Sequence, residues 1–288
     1  MLIRFFSRLN AQTPWLRKRT PPVDSAIATP DGLPELPQLK KPLPEVGAID
    51  AAVGGWFDEA TGCLVQDFSA GPDDVLLDVG CGETPLSIFF ARRAGQIILA
   101  DLLPENIAIA LDRLRAAGAH GALGLVGDTN PLPLESGSVT RVIATEVLEH
   151  VPDPAGFVAE LVRVGRPGAR YLFSVPDASS ENLQRPIAAP AHWEPPNHIR
   201  VFDRDAFERL IVDAGLVVES RKLYGFYWTL WWCFFWACKQ DLAPPWHPLL
   251  ESWNRTWGLL LQTSQGAQIK QALDTTLPKS QLIVARKP

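Results

Sequence analysis

The chain has 288 residues, a formal net charge of −5, and 47% hydrophobic and 9% aromatic content. That length can bury one substantial core with an appended element, and the composition excludes a disordered or fibrous protein. A negative balance offers no concentrated basic surface, so no nucleic-acid partner is expected, and the four cysteines at 63, 81, 233 and 238 have neither close pairing nor zinc spacing, which fits free thiols in a reducing, cytoplasmic setting.

Residues 1–47 read as a disordered, basic, proline-rich tail, with eight prolines from Pro14 to Pro44 and little periodic apolar pattern. The first ten residues mix apolar and basic groups, and Arg17-Lys18-Arg19 adds charge. A solvated tail and a peripheral hold on the inner membrane surface both fit. Charge interrupts the apolar run and no cleavage pattern follows, so a signal peptide is not expected. Residues 49–68 have helical apolar spacing, with Gly54, Gly55 and Gly62 as candidate breaks.

Alternation begins at Val75-Leu-Leu-Asp-Val79, a short apolar strand that runs into Gly80-Cys81-Gly82. Two glycines let the backbone bend sharply and come close to a ligand. Thr84 is expected to cap a helix over 85–93 with Pro85 in its first turn. A second strand, 96–100, ends at Asp101, 23 residues after Asp78, where an acid can accept hydrogen bonds from ribose hydroxyls. Further strands at 122–126 and 139–145 end in Gly127-Asp128-Thr129 and in Glu146-Val-Leu-Glu149-His150. Helices at 104–117, 154–164 and 205–214, with strands at 169–175, 216–223 and 280–286, complete an α/β pattern: a parallel sheet with helices on both faces.

With those residues in view, the sequence resembles the class I S-adenosylmethionine-dependent methyltransferases. Asp78-Val-Gly-Cys-Gly82 is similar to the family's first motif, Asp101 to its ribose-binding acid, and Gly127-Asp128 to its adenine-contacting segment. Val147-Leu-Glu-His-Val151 with Pro152-Asp-Pro154, and Arg166-Pro-Gly168 before a strand, resemble the small-molecule branch that includes the quinone-pathway O-methyltransferases. The resemblance covers residues 50–223 and the last strand. It implies a Rossmann-like sheet of seven strands, mostly parallel with the last antiparallel, and a methyltransferase core over 48–223 and 280–288. It further implies S-adenosyl-L-methionine as cofactor, bound by Asp78, Gly80, Cys81, Gly82, Asp101, Leu102, Asp128, Thr129 and Thr145. Two positions depart from the pattern: Thr84 replaces the third motif glycine, and Thr140 replaces an acid early in the fourth strand.

The expected reaction is methyl transfer to a small-molecule or lipid-like acceptor, at oxygen, with His150 as base and Glu149 beside it. No metal is obligatory. At i, i+3 and i+4, Glu146, Glu149 and His150 would share one face of a helix, where they can act on a proton, hold a cation or brace the turn. His198 with Arg200 can orient a polar acceptor or tie down its loop. A cofactor-binding protein without catalysis, which the threonines suggest, and a membrane-surface scaffold are the alternatives.

Residues 224–279 form a helical insertion between strands six and seven, holding seven of the ten tryptophans. The run from Leu223 to Cys238 carries no charge, but 16 residues is shorter than the roughly 20 that span a bilayer. Buried packing, a cap over an apolar acceptor and a face dipping into membrane all fit its composition. The sequence leaves the oligomeric state open.

Overall fold

A computed structural model describes residues 45–128 and 131–288. The amphipathic first ten residues and most of the proline-rich tail lie outside these residues, as does Thr129.

The first described element is helix α1 (Glu45–Val53), so ordered structure begins inside the stretch assigned to the tail. The helix expected over 49–68 stops there. Gly54 and Gly55 end it, and the remainder forms a small hairpin of β1 (Cys63–Val65) and β2 (Phe68–Ser69). Strand β3 (Val75–Val79) then starts the main sheet, followed by β4 (Gln96–Asp101), α2 (Pro104–Ala116), β5 (Ala122–Val126), β6 (Val139–Thr145), α3 (Pro154–Val164) and β7 (Gly165–Pro176). After these come α4 (Ala178–Gln184), α5 (Arg204–Asp213), β8 (Val217–Tyr224), α6 (Phe226–Ala237), α7 (Pro248–Leu261), α8 (Gly266–Thr276) and β9 (Ser280–Arg286).

The sheet order is β5-β4-β3-β6-β7-β9-β8. Strands β5 to β7 pair in parallel, and β9 inserts antiparallel between β7 and β8. This is the expected Rossmann-like, seven-stranded arrangement. Side chains alternate across it. Leu77, Val79, Val142, Ala144 and Phe173 pack with Phe157 and Leu161 of α3 and Phe207 of α5, while Leu76, Ile97, Leu99, Ile143 and Leu172 pack on the other face with Ala110 and Leu114 of α2.

Two local expectations fail. Residues 85–93 hold only a 3-10 turn, Leu86–Phe90, and Thr84 caps nothing; Asp78 Oδ2 instead accepts from Ser87 N at 3.1 Å, fastening the turn to β3. Helix α4 was not expected, because Ala178-Ser-Ser-Glu-Asn-Leu-Gln184 carries no apolar stripe. It forms where Asp177 accepts from Ser179 N at 2.9 Å at its start.

The insertion packs as a cluster of its own. Tyr227, Trp231, Trp232, Phe235 and Trp236 of α6 are buried with Leu250 and Trp257 of α7 and Val46 of α1. None of its seven tryptophans is exposed: Trp231, Trp232, Trp236 and Trp257 are buried, and Trp228, Trp246 and Trp253 are half-buried. No helix among the described residues is long and apolar enough to cross a membrane. A buried polar network locks the cluster to α1: Trp257 Nε1 donates to Asp50 Oδ1 at 2.8 Å, and Lys270 Nζ lies 3.0 Å from Asp50 Oδ1 and 2.7 Å from Asp274 Oδ2.

Candidate active site

The carboxyl ends of β3, β4 and β6 meet at one edge of the sheet, where an open α/β sheet binds its ligands. Leaving β3, the chain turns through Gly80 at φ 62° and Gly82 at φ 57°, backbone conformations that side chains with a Cβ rarely adopt. Two bonds hold the turn against β4: Cys81 N donates to Ala100 O at 3.1 Å, and Gly82 N to Asp101 Oδ2 at 2.9 Å. The other oxygen of Asp101 accepts from Leu103 N at 3.0 Å and Asn106 Nδ2 at 2.9 Å. Asp101 is thus buried at the expected place, and it organises the turn directly. Leu102, the next residue, is 62% exposed, leaving an apolar surface at the mouth of the crevice. Asp78 and Thr145 are buried and Asp128 is exposed.

The hydroxyl of Thr84 is buried with no hydrogen-bond partner. Buried polar groups are rarely left so, and a hydroxyl beside a glycine turn suits a polar ligand atom. Thr140 has a different explanation. Its hydroxyl bonds Asp74 Oδ1 at 2.6 Å and accepts from Val75 N at 3.1 Å, so Asp74 supplies the carboxylate that β6 lacks.

Beyond β6 lies a second, charged cluster. Glu146 follows the strand at φ 54° and is not helical. Its carboxylate turns into an ion pair with Lys279, accepting also from Ser174 Oγ at 2.9 Å and Ser280 Oγ at 3.2 Å. The shared face expected for Glu146, Glu149 and His150 therefore does not exist. Glu149 and His150 do stay together, with His150 Nε2 3.5 Å from Glu149 Oε1. Burial alone would raise the Glu149 carboxyl, yet the charges of His150 and His198 hold it down at about 2.

Glu181 on α4 completes the cluster. His198 Nδ1 donates to Glu181 Oε2 at 2.7 Å, both side chains being buried. His150 lies edge-on to His198 with ring centroids 5.0 Å apart, and His192 lies 4.3 Å from His198. Trp236 of the insertion sits 5.2 Å from His192 and donates to Gln184 Oε1 at 3.0 Å, so α6 walls this side of the site. Donor atoms of Glu149, His150 and His198, and of Glu181, His192 and His198, lie within 4.8 Å of one another; Glu181 is bonded to His198 and Glu149 faces His150, and we assign none of them to a metal. Arg200 does not face an acceptor, because its guanidinium donates to Val151 O at 2.7 Å and Pro152 O at 2.9 Å and ties down the loop.

Sequence reasoning missed Glu181 and Lys279. Topology was the available signal: Glu181 follows the carboxyl end of a parallel strand, and Lys279 precedes an antiparallel strand that starts at the same edge.

Burial, then the charge of His198, pushes His192 well below its ordinary value of 6.5. The folded state therefore keeps His192 neutral where the unfolded chain takes up a proton, and stability falls as pH drops below 6.5. Glu146 and Glu181, both raised by burial, act in the opposite sense. The difference between wild type and His192→Leu isolates the histidine: melting curves should show a smaller acid-induced loss in the variant between pH 6.5 and 4.5. Equal losses in both proteins would contradict a neutral buried His192.

Residues 77–173 match a family model described as a methyltransferase domain. A ubiquinone biosynthesis O-methyltransferase from Hahella chejuensis (strain KCTC 2396) is 33% identical over 111 residues, covering 38% of this chain and 47% of that protein. Among solved structures, geranyl diphosphate methyltransferase in complex with SAM superposes with a TM-score of 0.54 at 18% identity, covering 83% of this chain and 85% of that one. The [4+2]-cyclase SpnF gives 0.51 at 18% identity, over 84% and 92%. The chain spans 36 to 47% of the length of the first curated relatives it matches. The sheet order, the glycine turn and the matched residues agree: residues 77–173 form a methyltransferase domain, set in a sheet with the class I S-adenosylmethionine-dependent methyltransferase fold.

Proposed function

We propose that this protein transfers the methyl group of S-adenosylmethionine to an oxygen of a small-molecule acceptor that has a substantial apolar part. The observation that carries this reading is the juxtaposition, at one sheet edge, of a left-handed glycine turn bonded to Asp101 with a Glu149–His150 pair. When bound, the cofactor supplies an electrophilic methyl group on a sulfonium. Asp101, Leu102, Gly80, Gly82 and Thr84 would hold it, with Asp78, Cys81, Asp128 and Thr145 around them. The O-methyltransferase relatives support oxygen as the accepting atom, and the aromatic wall from α6 supports an apolar acceptor.

The chain's own contribution is proton handling beside a buried carboxylate, Glu149 being 1% exposed. His150 Nδ1 donates to Pro196 O at 2.9 Å, which leaves Nε2 as the nitrogen that takes the acceptor's hydroxyl proton. Glu149, held ionised 3.5 Å away, balances the imidazolium that forms.

A labelled methyl group from S-adenosylmethionine, followed into a cell extract, tests the reading. His150→Gln should lower incorporation by about two to four orders of magnitude, the range for losing a general base, while S-adenosylhomocysteine still binds as in wild type. Incorporation undiminished in His150→Gln would remove His150 as the base, and no incorporation by wild type would favour a cofactor-binding protein without methyl transfer.

A further inference from the structure

We propose that Glu181 and His198 are positioning residues that fix which nitrogen of His150 faces the acceptor, by clamping the segment 192–199 over the Glu149–His150 turn. The inference rests on the methyl-transfer reading for its purpose and on geometry for its substance. Three contacts join that segment to the turn: Pro196 O accepts from His150 Nδ1 at 2.9 Å, Ile199 N donates to Glu149 O at 3.0 Å, and the His198 ring lies edge-on to His150. His198 N donates to His192 O at 3.0 Å within the segment, and Asn197 Nδ2 donates to Ala191 O at 2.9 Å just before it, so the loop is bonded to itself. A short side-chain hydrogen bond anchors it to the scaffold, from His198 Nδ1 to Glu181 Oε2 at 2.7 Å, on a helix that follows β7 directly.

A neutral imidazole carries its proton on one nitrogen, and the partner of that nitrogen selects the tautomer. A backbone carbonyl can only accept, so Pro196 O forces the proton onto Nδ1 and keeps Nε2 as the acceptor. Without the Glu181–His198 bond, the segment keeps its main-chain bonds and the ring contacts of His192 with Trp236 and of Trp193 with Arg185, but it loses this side-chain hydrogen bond to α4; Pro196 O is then held less firmly against the ring, and both tautomers become accessible. His198, for which the sequence left open orienting the acceptor or tying down its loop, acts through His150.

Nitrogen chemical shifts of the full-length protein labelled at histidine read the tautomer directly, with the His150 signals assigned by their loss in His150→Gln. Wild type should show neutral His150 with its proton on Nδ1. His198→Gln and Glu181→Leu should each give a mixture of tautomers, whereas Glu181→Gln, which keeps an oxygen to accept from Nδ1, should retain the wild-type pattern. A wild-type His150 protonated on Nε2, an Nδ1–H tautomer that survives both His198→Gln and Glu181→Leu, or its loss in Glu181→Gln would each overturn the proposal. The wild-type measurement stands even where a variant fails to fold. Failure to bind S-adenosylhomocysteine, measured separately on the same wild-type sample, would instead count against the methyl-transfer reading and leave the tautomer result to judge the clamp.

Discussion

Phe235→Ala is expected to destabilise the protein by about 3 to 5 kcal/mol, the range for removing a fully buried aromatic ring from a packed core. Phe235 is 1% exposed. It stacks on Trp231 with centroids 5.6 Å apart at 14°, and it meets Trp232 at 5.1 Å and Trp236 at 5.0 Å edge to face. Alanine would leave a void that three rigid indoles cannot close, because their positions are set from outside: Trp236 by Gln184, and the α7 side of the cluster by the Asp50–Trp257 bond. Urea or thermal unfolding measures the loss. A cost below about 1 kcal/mol would mean that the ring is not packed as described. Trp231 and Trp232 are buried together with Phe235. Those three side chains are core. Their joint replacement should dismantle the insertion and, through Trp236 and His192, disturb the wall of the charged cluster.

The parallel strands were legible because a strand covered on both faces reads as a continuous apolar run, and Val75–Val79 and Val139–Thr145 end where the sequence places them. Helices α2, α3 and α5 were legible from apolar periodicity with proline or aspartate at their starts. The helix expected after the glycine turn was not, since its shortening depends on Asp78 reaching Ser87 across the strand end, which no periodicity records. Helix α4 has only Ala178 and Leu183 as apolar residues and no apolar stripe, and it escaped for that reason. At the site, residues bound to the ends of consecutive strands could be named in advance, Asp101, Glu149 and His150 among them. Glu146 could not be placed, because its left-handed backbone turns the carboxylate away from the helical face that spacing suggests. Nor could Glu181, whose partner His198 is 17 residues distant and whose role arises only when the chain folds back.

Asp101→Ala carries the second large effect. Its carboxylate accepts from Gly82 N, Leu103 N and Asn106 Nδ2 while 2% exposed, so alanine leaves two buried donors and a part-buried one without this partner and removes the Asp101 tie between the glycine turn and β4. Each stranded group costs about 1 to 3 kcal/mol. Part of that appears as lost stability, and part as lost affinity, because a turn that must be re-formed on binding is charged against the ligand. Calorimetric titration with S-adenosylhomocysteine tests the central claim, that the edge formed by the glycine turn and Asp101 is a cofactor site. Saturable one-to-one binding to wild type, weakened by at least about tenfold or 1.4 kcal/mol in folded Asp101→Ala, is the expected result. No binding to wild type, or equal affinity in the two proteins, would contradict it.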